Sequence, residues 1–292
     1  MTASTALRPS VRAAFGGLVD YAGLFPPAQL SLEDAWSEYD RARDGPHAWM
    51  LGRFIIPVAK LHSSANAIAG PFSVIADRDA GALSTVSALR DDAVRVEVLE
   101  IPLPDAGENE ISKLKQDIGA TNLADLPVFV ELTRSDRWGE FLAPAMEALR
   151  RRGFGAKLRC GGLTAGAFPS VADVAAFVAC AQLNRIPFKA TAGLHHPVRH
   201  LNAATGFTMH GFLNLLAAAA LAPRVDETTL QRIVAEEEPA AFEFDDESFS
   251  WRGERIGVRE LALTRREAFV AYGSCSFAEP VDDLTALGIL AR

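Results

Sequence analysis

Short apolar runs alternate with amphipathic or polar stretches of helical length along most of the chain. A parallel sheet with helical crossovers gives this pattern, because its strands are covered on both faces. Residues 17–21 form the first candidate strand. After the Pro26-Pro27 turn a helix opens at Ser31, where Asp34 three positions on makes a variant capping box. Residues 53–57, 72–76, 94–101 and 126–132 read as the next four strands, with helical stretches such as 136–152 between them. Phe154-Gly-Ala-Lys-Leu-Arg-Cys-Gly-Gly162 and Ile186-Pro-Phe-Lys-Ala-Thr-Ala-Gly-Leu194 supply strands six and seven.

An eighth strand has two candidates, 207–213 and 269–277. The second is preferred, because 211–222 has helix-forming composition and suits the crossover after strand seven. Residues 223–268 then become an insertion, a helix plus a β-hairpin, within a single domain spanning 1–292. In that insertion Glu236-Glu-Glu238 reads as a solvated helix end, and 242–251 alternates like an exposed hairpin turning near Arg252-Gly253. Eight strands with intervening helices favour an α/β fold of the (β/α)8 TIM barrel type over an open doubly wound sheet. No Gly-x-Gly-x-x-Gly follows a strand, which argues further against a dinucleotide-binding fold.

Composition narrows the partners. An apolar fraction of 49% and a charged fraction of 23% over 292 residues are those of a soluble globular protein. A formal net charge of −8 argues against nucleic acid or an anionic membrane as partner, since both reward a basic surface. Cys160, Cys180 and Cys275 are odd in number and widely spaced, the pattern of free thiols in a cytoplasmic protein. The most apolar run, 211–222, contains Asn214 and falls short of the roughly 20 residues that span a bilayer. The expectation is a cytoplasmic protein acting on a small molecule, without a cofactor or bound metal, and open to homo-oligomerisation.

Two lysines carry most of the candidate chemistry. Lys157 and Lys189 lie in equivalent places of strands six and seven, the spacing of one β-α-β unit. Burying an ammonium costs desolvation energy, so lysine is seldom placed in a strand for packing. The two-residue period of a strand sends Lys157 and Arg159 to one face, and likewise Lys189 and Thr191. If that face is the barrel interior, three cations share a cavity, and their repulsion should lower the pKa of at least one lysine. A neutral amine there can attack a carbonyl and form an imine.

The order of these parts resembles deoxyribose-phosphate aldolase and related class I aldolases. Leu18-Val-Asp-Tyr-Ala-Gly-Leu-Phe-Pro-Pro-Ala-Gln-Leu-Ser-Leu-Glu-Asp34 is similar to that family's opening segment. Val128-Phe-Val-Glu-Leu-Thr133 is similar to its fifth strand and Lys189-Ala-Thr-Ala-Gly-Leu194 to its seventh. Tyr272-Gly-Ser-Cys-Ser-Phe277 resembles the Gly-Thr-Ser-Ser turn that closes its eighth strand and helps hold the substrate phosphate. The resemblance implies a TIM barrel with an imine-forming lysine on strand six and a second lysine on strand seven. Departures accompany it: Leu158-Arg159-Cys160-Gly161-Gly162 replaces small hydroxyl residues after the first lysine. The strand-four aspartate that relays protons has no clean counterpart, since Glu97 and Glu100 are three apart and at most one enters the cavity.

Together these readings suggest a lyase acting on a small, anionic carbonyl compound. Lys157 would form the imine, Lys189 would depress its pKa, and Asp20 with His195 would handle protons. Arg159 and the turn of Gly273, Ser274 and Ser276 would hold the anionic group, with Arg53, Glu131 and His196 at further cavity positions. Two alternatives remain. One is a metal-dependent lyase or hydrolase using His195 and His196 with Cys160 or Glu131. The other is a barrel that binds an anionic metabolite and catalyses nothing.

Overall fold

The computed structural model describes residues 7–63, 68–92, 94–104, 106–135, 137–203 and 205–291. The apolar runs form β1 (Val19–Tyr21), β2 (Leu51–Pro57), β3 (Phe72–Ile75), β4 (Val96–Leu103), β5 (Val128–Leu132), β6 (Gly155–Arg159) and β7 (Phe188–Thr191). A small antiparallel pair, β8 (His200–Leu201) and β9 (Thr208–Met209), follows. Next come β10 (Phe242–Phe244), β11 (Ser248–Trp251) and β12 (Glu254–Gly257), and then β13 (Phe269–Ser274). The first seven strands and β13 close a parallel barrel in the order β1-β13-β7-β6-β5-β4-β3-β2, with helices between them. Each strand read from the sequence coincides with a barrel strand, and the eighth is the preferred 269–277 run. Strand edges differ: 94–101 is realised as Val96–Leu103, whose last two residues pair with Glu131 and Leu132 of β5.

Alternation along each strand makes two cores. Outward residues such as Val19, Tyr21, Phe54 and Phe72 join the layer beneath the helices, where the Trp36 ring lies 5.4 Å from Phe54 and 5.9 Å from Phe72. Inward residues include Ile55, Val98, Phe129 and Ala271, buried but outside that layer. The polar residues Asp20, Ser73, Glu100, Lys157 and Lys189 are also buried. Gly155 makes room for one of the inward rings: a Cβ there would sit 2.5 Å from Phe129 Cδ1 and 2.8 Å from the Pro187 carbonyl oxygen. The segment Ala165–Leu183 is long and apolar enough in composition to cross a membrane, yet its Val174, Phe177 and Val178 are buried in the outer core.

Two expectations for 223–268 are corrected. Residues 242–251 are not an exposed hairpin; they supply β10 and β11 of a three-stranded antiparallel sheet whose Phe242, Phe244, Phe249 and Trp251 are buried. The Phe244 ring stacks on Phe249 at 4.6 Å and meets Phe15 at 5.4 Å, so the apolar side of the alternation faces the core. Glu236 is not solvated either. Its carboxylate accepts from Trp251 Nε1 at 3.1 Å and from Arg252 Nε at 2.5 Å, which holds it buried and well ionised.

Asn214, the polar residue in the most apolar helix (Phe212–Leu221), ties this segment to the barrel. Its Nδ2 donates to the carbonyls of Ile233 at 2.9 Å and Glu236 at 2.8 Å, while its Oδ1 accepts from Arg199 N at 2.9 Å. An unsatisfied buried polar group costs about 1–3 kcal/mol. Asn214→Leu is therefore expected to lower the unfolding free energy by about 3 kcal/mol, read as a fall in the urea midpoint at unchanged slope. A midpoint equal to that of the unsubstituted protein would refute the tie.

Candidate active site

Strand register brings the candidate residues together. Lys157 on β6 lies opposite Lys189 on β7 and Glu131 on β5, and Glu100 on β4 lies opposite Phe129. Both lysines are nearly inaccessible, at 3% and 1% exposure. Between their amines sits the fully buried carboxylate of Glu100. Its Oε2 is 2.6 Å from Lys157 Nζ, and its Oε1 contacts Lys189 Nζ and accepts from Ser73 Oγ at 2.6 Å.

The two amines have different surroundings. Lys157 Nζ has a second carboxylate, Glu131 Oε2, at 2.8 Å. Lys189 Nζ has Asp20 Oδ2 at 2.6 Å and donates to Ser73 Oγ at 3.1 Å, with the Phe129 ring centroid 5.8 Å away. An ammonium carries three N–H donors. Lys189 donates to Glu100 and to Ser73, whose own hydroxyl hydrogen is committed to Glu100, and forms an ion pair with Asp20, so three acceptors surround it. Among the described residues Lys157 has two acceptors, leaving one donor position for a ligand.

Asp20 is itself held in place. Its Oδ1 accepts the backbone N–H of Arg53 at 2.7 Å, and a Cβ at Gly52 would fall 2.2 Å from that oxygen, so glycine is what lets the carboxylate reach β2. The Arg53 side chain lies in the first half of β2, with Nη1 3.9 Å from Asp20 Oδ1 and Nε 3.0 Å from Glu97 Oε2. Glu97 also reaches Arg95 at 2.6 Å. Arg53 thus braces Asp20 from the N-terminal side of the strands. Arg159 ends β6 with its side chain 54% exposed, its Nε donating to Gly161 O at 3.1 Å and its Nη1 3.5 Å from Glu131 Oε1.

The electrostatics overturn the expectation of an unbalanced cationic cavity. Burial alone would push the Lys157 pKa down, but the Glu100 and Glu131 carboxylates outweigh it and hold the amine above its ordinary value. Burial would likewise push Glu100 up, yet the two ammonium groups hold it well below the usual carboxylate range. Glu100 is the acid thought to lack a clean place on strand four, and Ser73 was not singled out at all. A signal for Glu100 existed in Val98-Leu-Glu-Ile101, a lone carboxylate in an apolar run, the same anomaly that marks the lysines.

The histidines occupy the loop after β7. His195 Nδ1 lies 3.1 Å from Glu279 Oε2 and 3.9 Å from Cys275 Sγ, and His196 Nδ1 lies 2.5 Å from Asp283 Oδ2. Both carboxylates belong to the helix Ala278–Ala286, and among the described residues neither histidine bonds to a lysine amine. In the 273–276 turn, Ser274 Oγ donates to Ser276 O at 2.7 Å and Ser276 Oγ accepts from Glu279 N at 3.1 Å. Gly273 lies against the barrel wall, where a Cβ would be 2.9 Å from Ile55 Cδ1. Cys160 is buried, and burial pushes its thiol pKa up. Among the described residues no group of three or more His, Cys, Asp and Glu side chains could hold a metal ion.

No protein-family model and no curated protein matches the chain. Among solved structures it is similar to one described as the unique tetrameric structure of deoxyribose phosphate aldolase from Aeropyrum pernix. The TM-score is 0.52 at 10% identity, over 94% of this chain and 93% of that one. That likeness is one of fold: the closed eight-stranded parallel barrel distantly resembles the deoxyribose-phosphate aldolase TIM barrel.

Proposed function

We propose that the protein is a class I aldolase-like lyase in which Lys157 forms an imine with a small carbonyl compound. The observation that carries this reading is the pair of buried lysines bridged by one buried carboxylate, with two acceptors around Lys157 where Lys189 has three. The aldolase fold of the structural neighbour supports it. Glu131, the more exposed of the two carboxylates on Lys157, passes the ammonium proton to solvent. The neutral amine then attacks the carbonyl carbon, and loss of water leaves an iminium whose positive charge Glu100 balances. An iminium withdraws electrons from the adjacent carbon, which makes carbon-carbon cleavage or formation the natural outcome.

The remaining residues divide the other tasks. Lys189 anchors Glu100 from the side away from Lys157 and is held in turn by Asp20, which Arg53 braces. Arg159, exposed beyond Lys157 on the same strand, meets an anionic group of the substrate. The Ser274 hydroxyl is engaged within its own turn and that of Ser276 by the first turn of the helix Ala278–Ala286, and both shape the rim beside Gly273, with His196 tethered to the same helix. Free thiols suit a cytoplasmic protein, and the tetramer described for the neighbour favours a homo-oligomer.

Incubation with acetaldehyde, propanal, acetone or pyruvate followed by borohydride is expected to add the reduced carbon skeleton at Lys157, seen by peptide mass mapping and lost in Lys157→Met. Absence of any adduct across these compounds would overturn the imine reading. Because its carboxylate neighbours raise the Lys157 pKa, adduct formation should accelerate as pH rises through the alkaline range. Glu131→Gln removes one counter-ion and should move that profile to lower pH by about 1 unit or more; an unmoved profile would show that Glu131 does not hold the proton.

Breaking a buried pair on one side costs about 3–5 kcal/mol, and Glu100→Gln leaves two ammonium groups short of a partner. Its unfolding free energy near neutral pH should fall by about that amount. The depressed Glu100 contributes stability above the unfolded carboxylate value of about 4.3 and loses it as pH falls toward the folded value. The raised Lys157 contributes below about 10.4 and loses it as pH rises through the folded value. Denaturation across pH should show a plateau between those limits, and a flat acid side in Glu100→Gln relative to the unsubstituted protein.

A further inference from the structure

One pair of titratable groups at the barrel mouth has no part in the lysine network. Ala192 and Gly193, directly after β7, have φ of 59° and 70°, which turns the chain sharply at the end of the strand. A Cβ on Gly193 would lie 3.2 Å from the Cys160 carbonyl oxygen and 3.3 Å from Gly161 Cα, so the loops leaving β6 and β7 are pressed together. Leu194 is then fully buried, and His195 follows with its side chain only 13% exposed. Its ring reaches Cys275, the residue after β13, and Glu279 in the first turn of the helix Ala278–Ala286. This places His195 among the residues that follow β7 and β13, and β7 is the neighbour of the strand that carries Lys157.

A carboxylate can only accept, so the 3.1 Å contact with Glu279 Oε2 fixes the ring hydrogen on Nδ1 and leaves Nε2 with a lone pair. We propose that His195, oriented by Glu279, is the base that takes the proton from the carbon adjacent to the imine carbon. This rests on the reading of Lys157 as the imine former. In the step, the Cα–H bond breaks and its proton goes to His195 Nε2. The electron pair forms a carbon-carbon double bond, the C=N π pair returns to the Lys157 nitrogen, and Glu279 balances the imidazolium. Reversal returns the proton, or the enamine carbon attacks a second carbonyl instead.

Glu100 is poorly suited to that task, because both its oxygens are held by ammonium groups. Burial keeps His195 neutral by lowering its pKa, with Glu279 acting in the opposite direction and His196 and His200 of its own loop adding to the lowering. The Cys275 thiol facing the ring is itself pushed up by burial and remains protonated. Glu279 is a positioning residue, since it acts through the ring.

The test is exchange of α-hydrogens of acetone and propanal in D2O, followed by proton NMR and expressed per Lys157 adduct trapped by borohydride in parallel. In His195→Gln the normalised exchange is expected to fall about 100-fold or more. Glu279→Gln, altered at a half-exposed side chain, should lose part of the exchange and shift the acid limb of its pH profile to lower pH, because Glu279 holds the ring pKa up. A solely structural role would leave that limb in place. Normalised exchange at the unsubstituted rate in His195→Gln, or an unmoved acid limb in Glu279→Gln, would overturn the assignment. A lack of adduct in the unsubstituted protein would instead overturn the Lys157 reading, and the assignment with it.

Discussion

The position of the Glu100 carboxylate between two buried ammonium groups is the constraint on which the rest of the barrel interior depends. Each ion alone would cost several kcal/mol to bury. Lys157, Lys189, Glu100, Asp20 and Glu131 are tolerated inside because each finds a partner of opposite sign at hydrogen-bond distance. The partners come from β1, β4, β5, β6 and β7, so no pair forms until those strands are in register. A slip of one residue on any strand would send its charged side chain outward into the helix layer. Such a network adds less net stability than an apolar core of equal volume, and its contribution is to specify a single register.

The fold was largely legible because its signal is local. Strands six and seven announce themselves as apolar runs ending in glycine, and 269–277 was separable from 207–213 because the alanine-rich run between has helical composition. The hairpin at 242–251 was misplaced for a physical reason. Alternation shows that one face is apolar but not which neighbour covers it, and Phe15, far away in sequence, packs against Phe244. Glu236 misled in the same way, since an acidic run looks solvated until Trp251 and Arg252 come back to meet it.

The site was legible in its cations and not in its charge balance. Lys157, Arg159 and Lys189 stand out because a lysine or arginine in a strand is unusual, whereas their acids lie on strands remote in sequence. Simple alternation puts Glu97 and Glu100 on opposite faces; the irregularity between β3 and β4 falls between Val96 and Val98, and Glu97 pairs with Arg53 while the fully buried Glu100 pairs with Lys157. Once those acids are in place, the direction of the Lys157 shift reverses. Proximity of like charges was real in the sequence, but opposite charges at closer range decide the sign.

This balance separates the roles of two residues that look equivalent along the chain. Lys189 is surrounded by three acceptors, and one of them, its ion-pair partner Asp20, is fastened to the β2 backbone through the space that Gly52 leaves. To become a nucleophile it would have to abandon a proton shared with two carboxylates and expose them to each other. Lys157 gives up less. One of its partners, Glu131, already touches solvent and is shared with an exposed arginine, so the proton has somewhere to go and the carboxylate keeps a cation beside it. On the proposed reading, covalent chemistry at Lys157 and a charge-holding role for Lys189 would follow from where the acids stand, Glu131 at the rim and Asp20 pinned deep in the barrel.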